Sequence, residues 1–369
     1  MIRVAVCGLG KMGASHLAIV NAHPLVTVAA VCDPTGYILD VLKKYTGIKG
    51  YADYADMLKS EALDAVIVAT PSRLHAPMVE QALMAGLHVF CEKPFCLDPR
   101  DSARLAALAE QRGVVNQVGY HNRFVGAFQE MKRLVAAGAI GRVTHVLAEA
   151  YGPVVLKAKG STWRTQSSEG GGCLYDYAAH PINLLNWCFG APKAVGGSVL
   201  GKIFSRDTDD EVYSTLYFDN DLSAQVSVNW SDESLRKMTT KISMWGTNGR
   251  LYADRQECQI YLRDAALAPS TYDAGWNVRY TTELTEEVWF YVRGEEYSAQ
   301  IDHFIQAIHS GQPGANSSFA NAAETDQVLS MIKIDADRGP VPLPGAAAAG
   351  PAPPGRFSLF GGRSAKAKV

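Results

Sequence analysis

The glycine-rich segment from Gly8 to Gly13 constrains the fold more than any other feature of this sequence. It follows an apolar, β-branched stretch from Ile2 to Cys7 and leads into a helical pattern that begins near Ala14. Glycines at the first, third and sixth positions permit a tight turn, close approach of a pyrophosphate, and close packing of the helix on the strand. The turn therefore predicts a βαβ unit that binds a dinucleotide at the helix N-terminus; a glycine turn without a ligand is the alternative. The predicted contacts come from Gly8, Gly10, Lys11, Met12 and Gly13.

An acidic residue closes the second predicted strand. Asp33 lies twenty residues after Gly13, where a carboxylate would accept hydrogen bonds from the hydroxyls of the adenine-side ribose. A 2′-phosphate at the same place would be repelled by the carboxylate. The sequence therefore predicts NAD in preference to NADP.

Short β-branched runs alternate with helical patterns up to about residue 120, which favours a doubly wound parallel sheet. Beyond it, longer alternating runs flank turns at Asp219-Asn220-Asp221 and Thr247-Asn248-Gly249, which indicates hairpins of a mixed or antiparallel sheet. A last helix is predicted from Asn321 to about Asp335. A length of 369 residues fits two domains. We predict a nucleotide-binding domain at 1–120, a second domain at 121–343, and an Ala, Gly and Pro-rich basic tail at 344–369.

Composition excludes several classes of protein. The formal net charge of −2 gives no general attraction to nucleic acid or anionic lipid, and no apolar stretch reaches the ~20 residues of a spanning helix. The opening segment is too short for a signal peptide. The seven cysteines are scattered and never form a C-x-x-C pair, so we expect no disulfide framework and no zinc site. We expect reduced thiols in a cytoplasmic protein without a nucleic-acid or membrane partner.

Lys93 follows the fourth predicted strand in Cys91-Glu92-Lys93-Pro94. Ligands of open α/β sheets bind outside the carboxyl ends of the strands, so Lys93 is predicted to face the cofactor. A lysine partly removed from water beside a cationic ring exchanges its proton more easily near neutral pH. A solvated Glu-Lys ion pair is the alternative.

A second polar pair follows the glycines at 170–172. Asp176 and His180 are four residues apart in a predicted helix, so the carboxylate can orient the imidazole or share a substrate hydroxyl with it. A hydrogen-bonded pair without a ligand is the alternative. Pro181 is expected to kink or interrupt this helix.

Together these motifs resemble the Gfo/Idh/MocA family of glucose-fructose oxidoreductase and inositol dehydrogenase relatives. The resemblance spans about residues 2 to 343. The residues that carry it, besides the glycine turn, are Ala69-Thr70-Pro71 with His75, Glu92-Lys93-Pro94, Val118-Gly119-Tyr120 with Arg123-Phe124, Trp163-Arg164, and the glycines before Asp176 and His180.

The resemblance implies a fold and a reaction. The fold is an N-terminal Rossmann domain and a C-terminal α+β domain whose large, open, mainly antiparallel sheet serves oligomerisation, as a homodimer or homotetramer. The reaction is hydride transfer to or from a sugar or cyclitol carbon. Lys93, Asp176 and His180 match the family's catalytic residues, with Lys93 and His180 interchangeable as proton acceptor. Implied contacts on the nicotinamide side are Thr70, Pro71, His75, Glu92 and Lys93.

The substrate wall is predicted from the remaining matches. Tyr120, Arg123, Trp163 and Arg164 are candidates, although packing is the alternative for the first three. Asn183 stands where many relatives have an aspartate, so it would bind substrate hydroxyls without a charge. A sugar nucleotide is slightly favoured, because Arg164, Lys157 and Lys159 could bind its pyrophosphate. Alternative functions are an NAD-dependent glycosidase of the same family and a non-catalytic, cofactor-sensing regulator.

Overall fold

The computed structural model describes residues 1–155, 163–290, 295–312 and 316–339. Lys157, Lys159 and the predicted tail at 344–369 lie outside these residues. Within the part of the chain that the structure describes, none of the helices combines the length and the apolar character needed to span a bilayer. All seven cysteines are described, and each is an unpaired thiol.

Residues 2–118 contain a six-stranded, fully parallel sheet with the order β3-β2-β1-β4-β5-β6. Apart from Arg3, its central strands are apolar on both faces and buried, as expected for a sheet covered by helices on both sides. The predicted doubly wound parallel sheet is confirmed. The strands are β1 (Ile2–Cys7), β2 (Val26–Cys32), β3 (Lys49–Tyr51), β4 (Ala65–Val68), β5 (His88–Cys91) and β6 (Asn116–Val118).

Five helices connect these strands. Their ends follow local signals: Asp98 caps the fifth helix by accepting the N–H of Arg100, and Gly113 ends it with φ of 63°. The helices are α1 (Lys11–Ala22), α2 (Gly36–Thr46), α3 (Tyr54–Ser60), α4 (His75–Met84) and α5 (Pro99–Arg112).

The second sheet has eight strands in the order β14-β13-β12-β11-β7-β10-β9-β8. All neighbouring strands are antiparallel except β7 and β10, which confirms the mainly antiparallel sheet. At the predicted first hairpin, Asn220 and Asp221 adopt positive φ of 58° and 59°. The strands are β7 (Val143–Tyr151), β8 (Ala194–Gly201), β9 (Glu211–Tyr217), β10 (Ser223–Asn229), β11 (Thr239–Gly246), β12 (Gly249–Ala253), β13 (Glu257–Leu262) and β14 (Gly275–Tyr280).

The part of the chain after β6 also contributes residues to the hydrophobic core around the parallel sheet. One of its helices returns to the parallel sheet, where Phe304 packs against Phe90 with ring centroids 5.9 Å apart, and Asp302 bonds to His23. The last helix packs against α5, which flanks the parallel sheet, and against β8 of the second sheet, so it joins the two parts of the fold. It is longer than predicted. The helices are α6 (Gly126–Ala136), α7 (Ala179–Phe189), α8 (Thr281–Leu284), α9 (Glu295–Ser310) and α10 (Phe319–Arg338).

Candidate active site

The glycine-rich turn is shaped so that two of its glycines meet the backbone and one faces open space. A Cβ on Gly8, whose φ is 84°, would lie 2.7 Å from the carbonyl oxygen of Ala69, and a Cβ on Gly13 would lie 1.7 Å from that of Gly8. Gly10 has no atom within 4 Å of its Cβ position. It precedes α1, and no side chain caps that helix. The turn thus presents free backbone N–H groups beside an open space, and these features fit a pyrophosphate.

Asp33 lies at the carboxyl end of β2, next to this turn. Its Oδ2 accepts the N–H of Leu9 at 2.7 Å, and its Oδ1 accepts the N–H of Thr35 at 2.9 Å. Each carboxylate oxygen can accept a further hydrogen bond, so these contacts leave capacity for ribose hydroxyls. Asp33 also fixes the glycine turn, a second task that the sequence did not reveal.

His75 connects two of the loops predicted to line the nicotinamide side. Its ring is buried and lies 2.9 Å from the carbonyl oxygens of both Thr70 and Pro94. Burial lowers the pKa of His75, so the neutral ring can donate to only one of these oxygens at a time. Pro71, which directly follows Thr70, is exposed. His75 therefore holds the loops of Thr70 and Pro94 together.

Glu92 is buried beneath the same edge of the sheet. Its Oε1 lies 2.6 Å from Nε2 of His16, and its Oε2 accepts the N–H of Lys93 at 3.2 Å. Burial alone would raise the pKa of Glu92, but the hydrogen bond and charge of His16 outweigh it and lower the pKa. A Cβ on Gly119 would lie 2.8 Å from Oε1 of Glu92, which explains the glycine there. Sequence reasoning missed His16, because an interior residue of α1 carries no local signal of its partner.

Lys93 and Asp176 come together from two separate parts of the chain, the loop after β5 and the turn before α7. Nζ of Lys93 donates to Oδ1 of Asp176 at 2.9 Å and to its backbone oxygen at 2.6 Å. Nε of Arg164 donates to the other carboxylate oxygen at 2.8 Å. Burial would raise the pKa of Asp176, but Lys93 and Arg164 more than offset this effect, so the pKa lies below the usual value. Asp176 is thus an ionised carboxylate between two cations.

The predicted helix around Asp176 begins with a wider turn. Residues Leu174–Ala178 form a π-helical turn, and α7 follows it directly. A π-helical turn and a proline at position 181 both change which backbone carbonyl groups find an N–H donor within the helix. The backbone carbonyl oxygen of Asp176 accepts a hydrogen bond from Lys93. Both carboxylate oxygens of Asp176 are also engaged. Because Asp176 bonds to Lys93 and Arg164, and Nδ1 of His180 has no partner among the described residues, the predicted orientation of His180 by Asp176 is corrected. A substrate hydroxyl shared by the two residues stays a prediction.

His180 lies beside the ion pair in a buried, aromatic setting. Its ring centroid is 5.0 Å from that of His121 and 6.3 Å from that of Tyr120, both in edge-to-face arrangements. Burial, with a contribution from the charge of Lys93, lowers the pKa of His180 well below the usual value. Its Nδ1 has no hydrogen-bond partner among the described residues. His180 is therefore a neutral imidazole with a ring nitrogen left to bind.

His121 is a second histidine here that sequence reasoning missed. It stacks on Tyr297 with centroids 4.6 Å apart, and burial lowers its pKa to about 3. Its Nε2 finds no hydrogen-bond partner in the ranges that the structure covers. The signal that could have found it is its position just after β6, at the carboxyl edge of the sheet.

Two predicted substrate contacts prove to be interior bonds. Nε of Arg123 donates to Oδ1 of Asn183 at 2.7 Å, and Nη1 donates to Oδ1 of Asn321 at 3.2 Å. Nδ2 of Asn183 donates to Thr325 at 3.0 Å. Arg123 and Asn183 are 2% and 1% exposed. We therefore correct their predicted role to a structural one, in which they join α7 to α10, because their polar groups are satisfied inside the protein.

Of the other three predicted substrate residues, one lies in the interior and two are partly exposed. Tyr120 is 1% exposed and packs against His180, so it supports the imidazole from the interior. Arg164 and Trp163 are partly exposed, and the guanidinium lies over the indole ring at 4.7 Å from its centroid. Trp163 and Arg164 therefore remain the candidates for a substrate wall.

Comparison with known proteins agrees with this fold. Residues 2–120 match the model of the oxidoreductase family with an NAD-binding Rossmann fold, and residues 128–252 match the GFO/IDH/MocA C-terminal domain. The chain belongs to the Gfo/Idh/MocA family. Like other oxidoreductases of that family it is an enzyme, and residues 2–120 form an NAD-binding domain.

Relatives of this Gfo/Idh/MocA protein include named dehydrogenases. The scyllo-inositol 2-dehydrogenase (NAD(+)) of Bacillus subtilis is 24% identical over 318 residues, which cover 84% of this chain and 87% of that protein. The inositol 2-dehydrogenase of Leifsonia xyli is 30% identical over 195 residues, or 52% of this chain and 55% of that protein. The fold matches levoglucosan dehydrogenase in complex with NADH and levoglucosan, with a TM-score of 0.81, 22% identity, and coverage of 91% and 97%.

Proposed function

We propose that the protein transfers hydride between NAD and a secondary alcohol or ketone carbon of a sugar, sugar nucleotide or cyclitol. The observation that carries this proposal is the buried ion pair of Lys93 and Asp176 beside the neutral ring of His180. The names of the inositol and levoglucosan dehydrogenases support a polyhydroxylated substrate.

The residues divide the work of alcohol oxidation among them. An ammonium group has three donors, and Lys93 uses two on Asp176, so the third can bind the substrate oxygen. Because an ammonium has no lone pair, we assign the hydroxyl proton to His180, whose neutral ring can accept it. The glycine turn and Asp33 would hold NAD, which would supply the hydride acceptor, or NADH as the hydride donor of the reverse reaction. In that direction Lys93 polarises the carbonyl while His180 returns the proton.

The electrostatics of the wall favour an uncharged substrate within this class. Arg164 is already paired with Asp176, so less of its charge is left for a pyrophosphate. We therefore place a free sugar or cyclitol ahead of the sugar nucleotide that the sequence slightly favoured. Trp163 would offer an aromatic face to such a ring.

The direct test is a substrate panel. The purified protein is incubated with NAD or NADH and with cyclitols, free sugars and sugar nucleotides, and NADH absorbance is recorded beside chromatography of the products. We expect NADH to accumulate with at least one polyol. Release of free sugar without NADH would identify the glycosidase alternative. Cofactor binding without turnover on any compound would favour the regulator.

Cofactor preference tests the role of Asp33. Asp33→Ser removes the charge that would repel a 2′-phosphate and the acceptor for ribose hydroxyls, so the ratio of kcat/KM for NAD over NADP should fall by about 10-fold or more. Asp40→Ser, an exposed change on α2, is the control. Equal cofactor ratios in Asp33→Ser and the unmutated protein would contradict this assignment.

We also propose self-association through the open face of the second sheet, as a homodimer or homotetramer. Tyr213, Tyr217, Trp276 and Tyr280 are exposed on its strands β9 and β14, at 37%, 48%, 60% and 52%. Such side chains are typical of buried interfaces. Sedimentation of the protein and of Trp276→Lys should show an oligomer that dissociates in the variant. The seven unpaired thiols support the cytoplasmic location that we infer.

A further inference from the structure

The segment that follows Lys93 is held by the last helix of the chain. Phe95 stacks on Phe319 with ring centroids 4.2 Å apart, and the N–H of Cys96 donates to Oδ2 of Asp326 at 2.9 Å. Both partners belong to α10. The backbone just after Lys93 is therefore fixed by residues more than two hundred positions away in the sequence.

Asp326 is a buried carboxyl group with an unusual set of partners. It is 3% exposed, and its Oδ2 also accepts the hydroxyl of Ser102 in α5 at 2.6 Å. Its Oδ1 has no hydrogen-bond partner in residues 1–155, 163–290, 295–312 and 316–339. One oxygen thus joins the Lys93 segment, α5 and α10, while the other accepts no hydrogen bond within the described residues, although the nearby N–H of Phe95 also favours the ionised form.

The surroundings of Asp326 supply little charge to balance an anion. The charge of Asp326 acts on Cys91, Cys96, Tyr120 and Tyr175. Burial raises the pKa of each of these thiols and phenols, so they are neutral near pH 7. Arg104 acts on Cys96 from α5, but it is already paired with Glu80 and Asp101.

We propose that Asp326 is a positioning residue for Lys93. By accepting the N–H of Cys96 and the hydroxyl of Ser102, it fixes the path of the segment after Lys93, so that the ammonium reaches Asp176. Because a misplacement of about 1 Å can cost ~100-fold in rate, such a clamp sets the efficiency of the site. This inference rests on the proposed catalytic role of Lys93.

The protonation state of Asp326 supports a clamp that works in the neutral form. Burial raises its pKa to about 7, and the unpartnered Oδ1 is the oxygen free to carry the proton. Because this pKa lies above the unfolded value of about 3.9, the contribution to stability is complete below about pH 4. It is lost as the pH rises through about 7. An amide in place of the carboxyl would keep the acceptor and remove this dependence on pH.

Two variants with opposite expected outcomes test the clamp. Asp326→Asn keeps an oxygen acceptor for Cys96 and Ser102, and kcat should stay within about 3-fold. Asp326→Leu removes the acceptor at similar volume, and kcat should fall by about 10- to 100-fold while KM for NAD changes less than about 3-fold. Between about pH 5 and pH 8.5, the Tm of the unmutated protein should fall by several degrees relative to Asp326→Asn.

The control variant is Asp335→Leu on the same helix. Asp335 accepts the N–H of Ser198 at 2.8 Å, at the far side of α10 from Lys93, so its loss tests general loosening of this helix. Its kcat should stay within about 3-fold. A loss of kcat in Asp335→Leu equal to that in Asp326→Leu would overturn the proposal, as would a full loss in Asp326→Asn.

A measurement without turnover separates this inference from the proposed function. Reductive methylation with formaldehyde and borohydride, followed by peptide mass spectrometry, reports how accessible the amine of Lys93 is. The side chain is 13% exposed and ion-paired, so it should react slowly in the unmutated protein and in Asp326→Asn. In Asp326→Leu the rate should rise by about 10-fold. An unchanged rate would overturn the clamp, whereas the absence of any substrate would overturn the proposed function and leave this result standing.

Discussion

Replacing Lys93 with methionine should lower kcat by about 1,000-fold while the protein remains folded. Methionine keeps the length and apolar volume of the side chain but removes the donor for the substrate oxygen and the cation that faces Asp176. Arg164 still pairs with the other oxygen of Asp176, so the carboxylate is not left alone. Steady-state kinetics with the best compound of the panel would measure the loss.

The controls for this variant distinguish chemistry from binding. The Kd for NADH, measured by fluorescence titration, should change less than about 3-fold in Lys93→Met, because the ammonium acts on the reacting oxygen. Lys59→Met, at an exposed position on α3, should keep full activity. Retention of more than about a tenth of kcat in Lys93→Met would contradict the assigned role. Unchanged biological activity of Lys93→Ala would revive the regulator alternative.

Gly13→Ala should abolish productive NAD binding and destabilise the protein as well. The new Cβ would lie 1.7 Å from the carbonyl oxygen of Gly8, where the first turn of α1 packs against the tight turn that follows β1. The backbone must move to admit the methyl group, which should cost about 2 kcal/mol or more of unfolding free energy. Thermal unfolding of the cofactor-free protein and calorimetric titration with NAD would measure the two effects.

Gly10→Ala is the informative companion, because it should separate affinity from stability. No atom lies within 4 Å of its Cβ position, so the cofactor-free protein should keep its Tm, while NAD affinity falls by about 10-fold or more as the methyl group enters the pyrophosphate space. Gly36→Ala, also in open space but at the start of α2, should change neither quantity. Unchanged NAD affinity in Gly10→Ala would move the cofactor away from this turn.

Local signals account for most of what the sequence predicted. The first strand, Ile2–Cys7, matches the predicted stretch residue for residue, because a buried parallel strand has an apolar run with sharp ends. The edge strand Lys49–Tyr51 was not predicted, because it is short and has no apolar run. The turn at Asn220 and Asp221 is equally local, because both residue types tolerate positive φ.

The site was less predictable because a polar side chain finds its partner only in three dimensions. Arg123 and Asn183 carry the chemistry of substrate contacts, yet each is satisfied by the other in the interior. The hydrogen bond that Arg164 donates to Asp176 could not be predicted either, because the sequence spacing of the two residues does not show how the chain between them turns. The family resemblance predicted Lys93 and Asp176 as catalytic residues, and in the structure Nζ of Lys93 lies 2.9 Å from Oδ1 of Asp176. Variants at these two positions can test this contact.

The return of α9 to the parallel sheet has a consequence for biosynthesis. Phe90 packs against Phe304 of α9, and His23 bonds to Asp302 of the same helix. Residues 1–120 therefore leave the ribosome with an apolar flank that α9 has not yet covered. That flank must wait for nearly two hundred further residues to be translated. An N-terminal fragment produced alone would present this surface to other nascent chains, and the demand for chaperones should peak during synthesis of the second sheet.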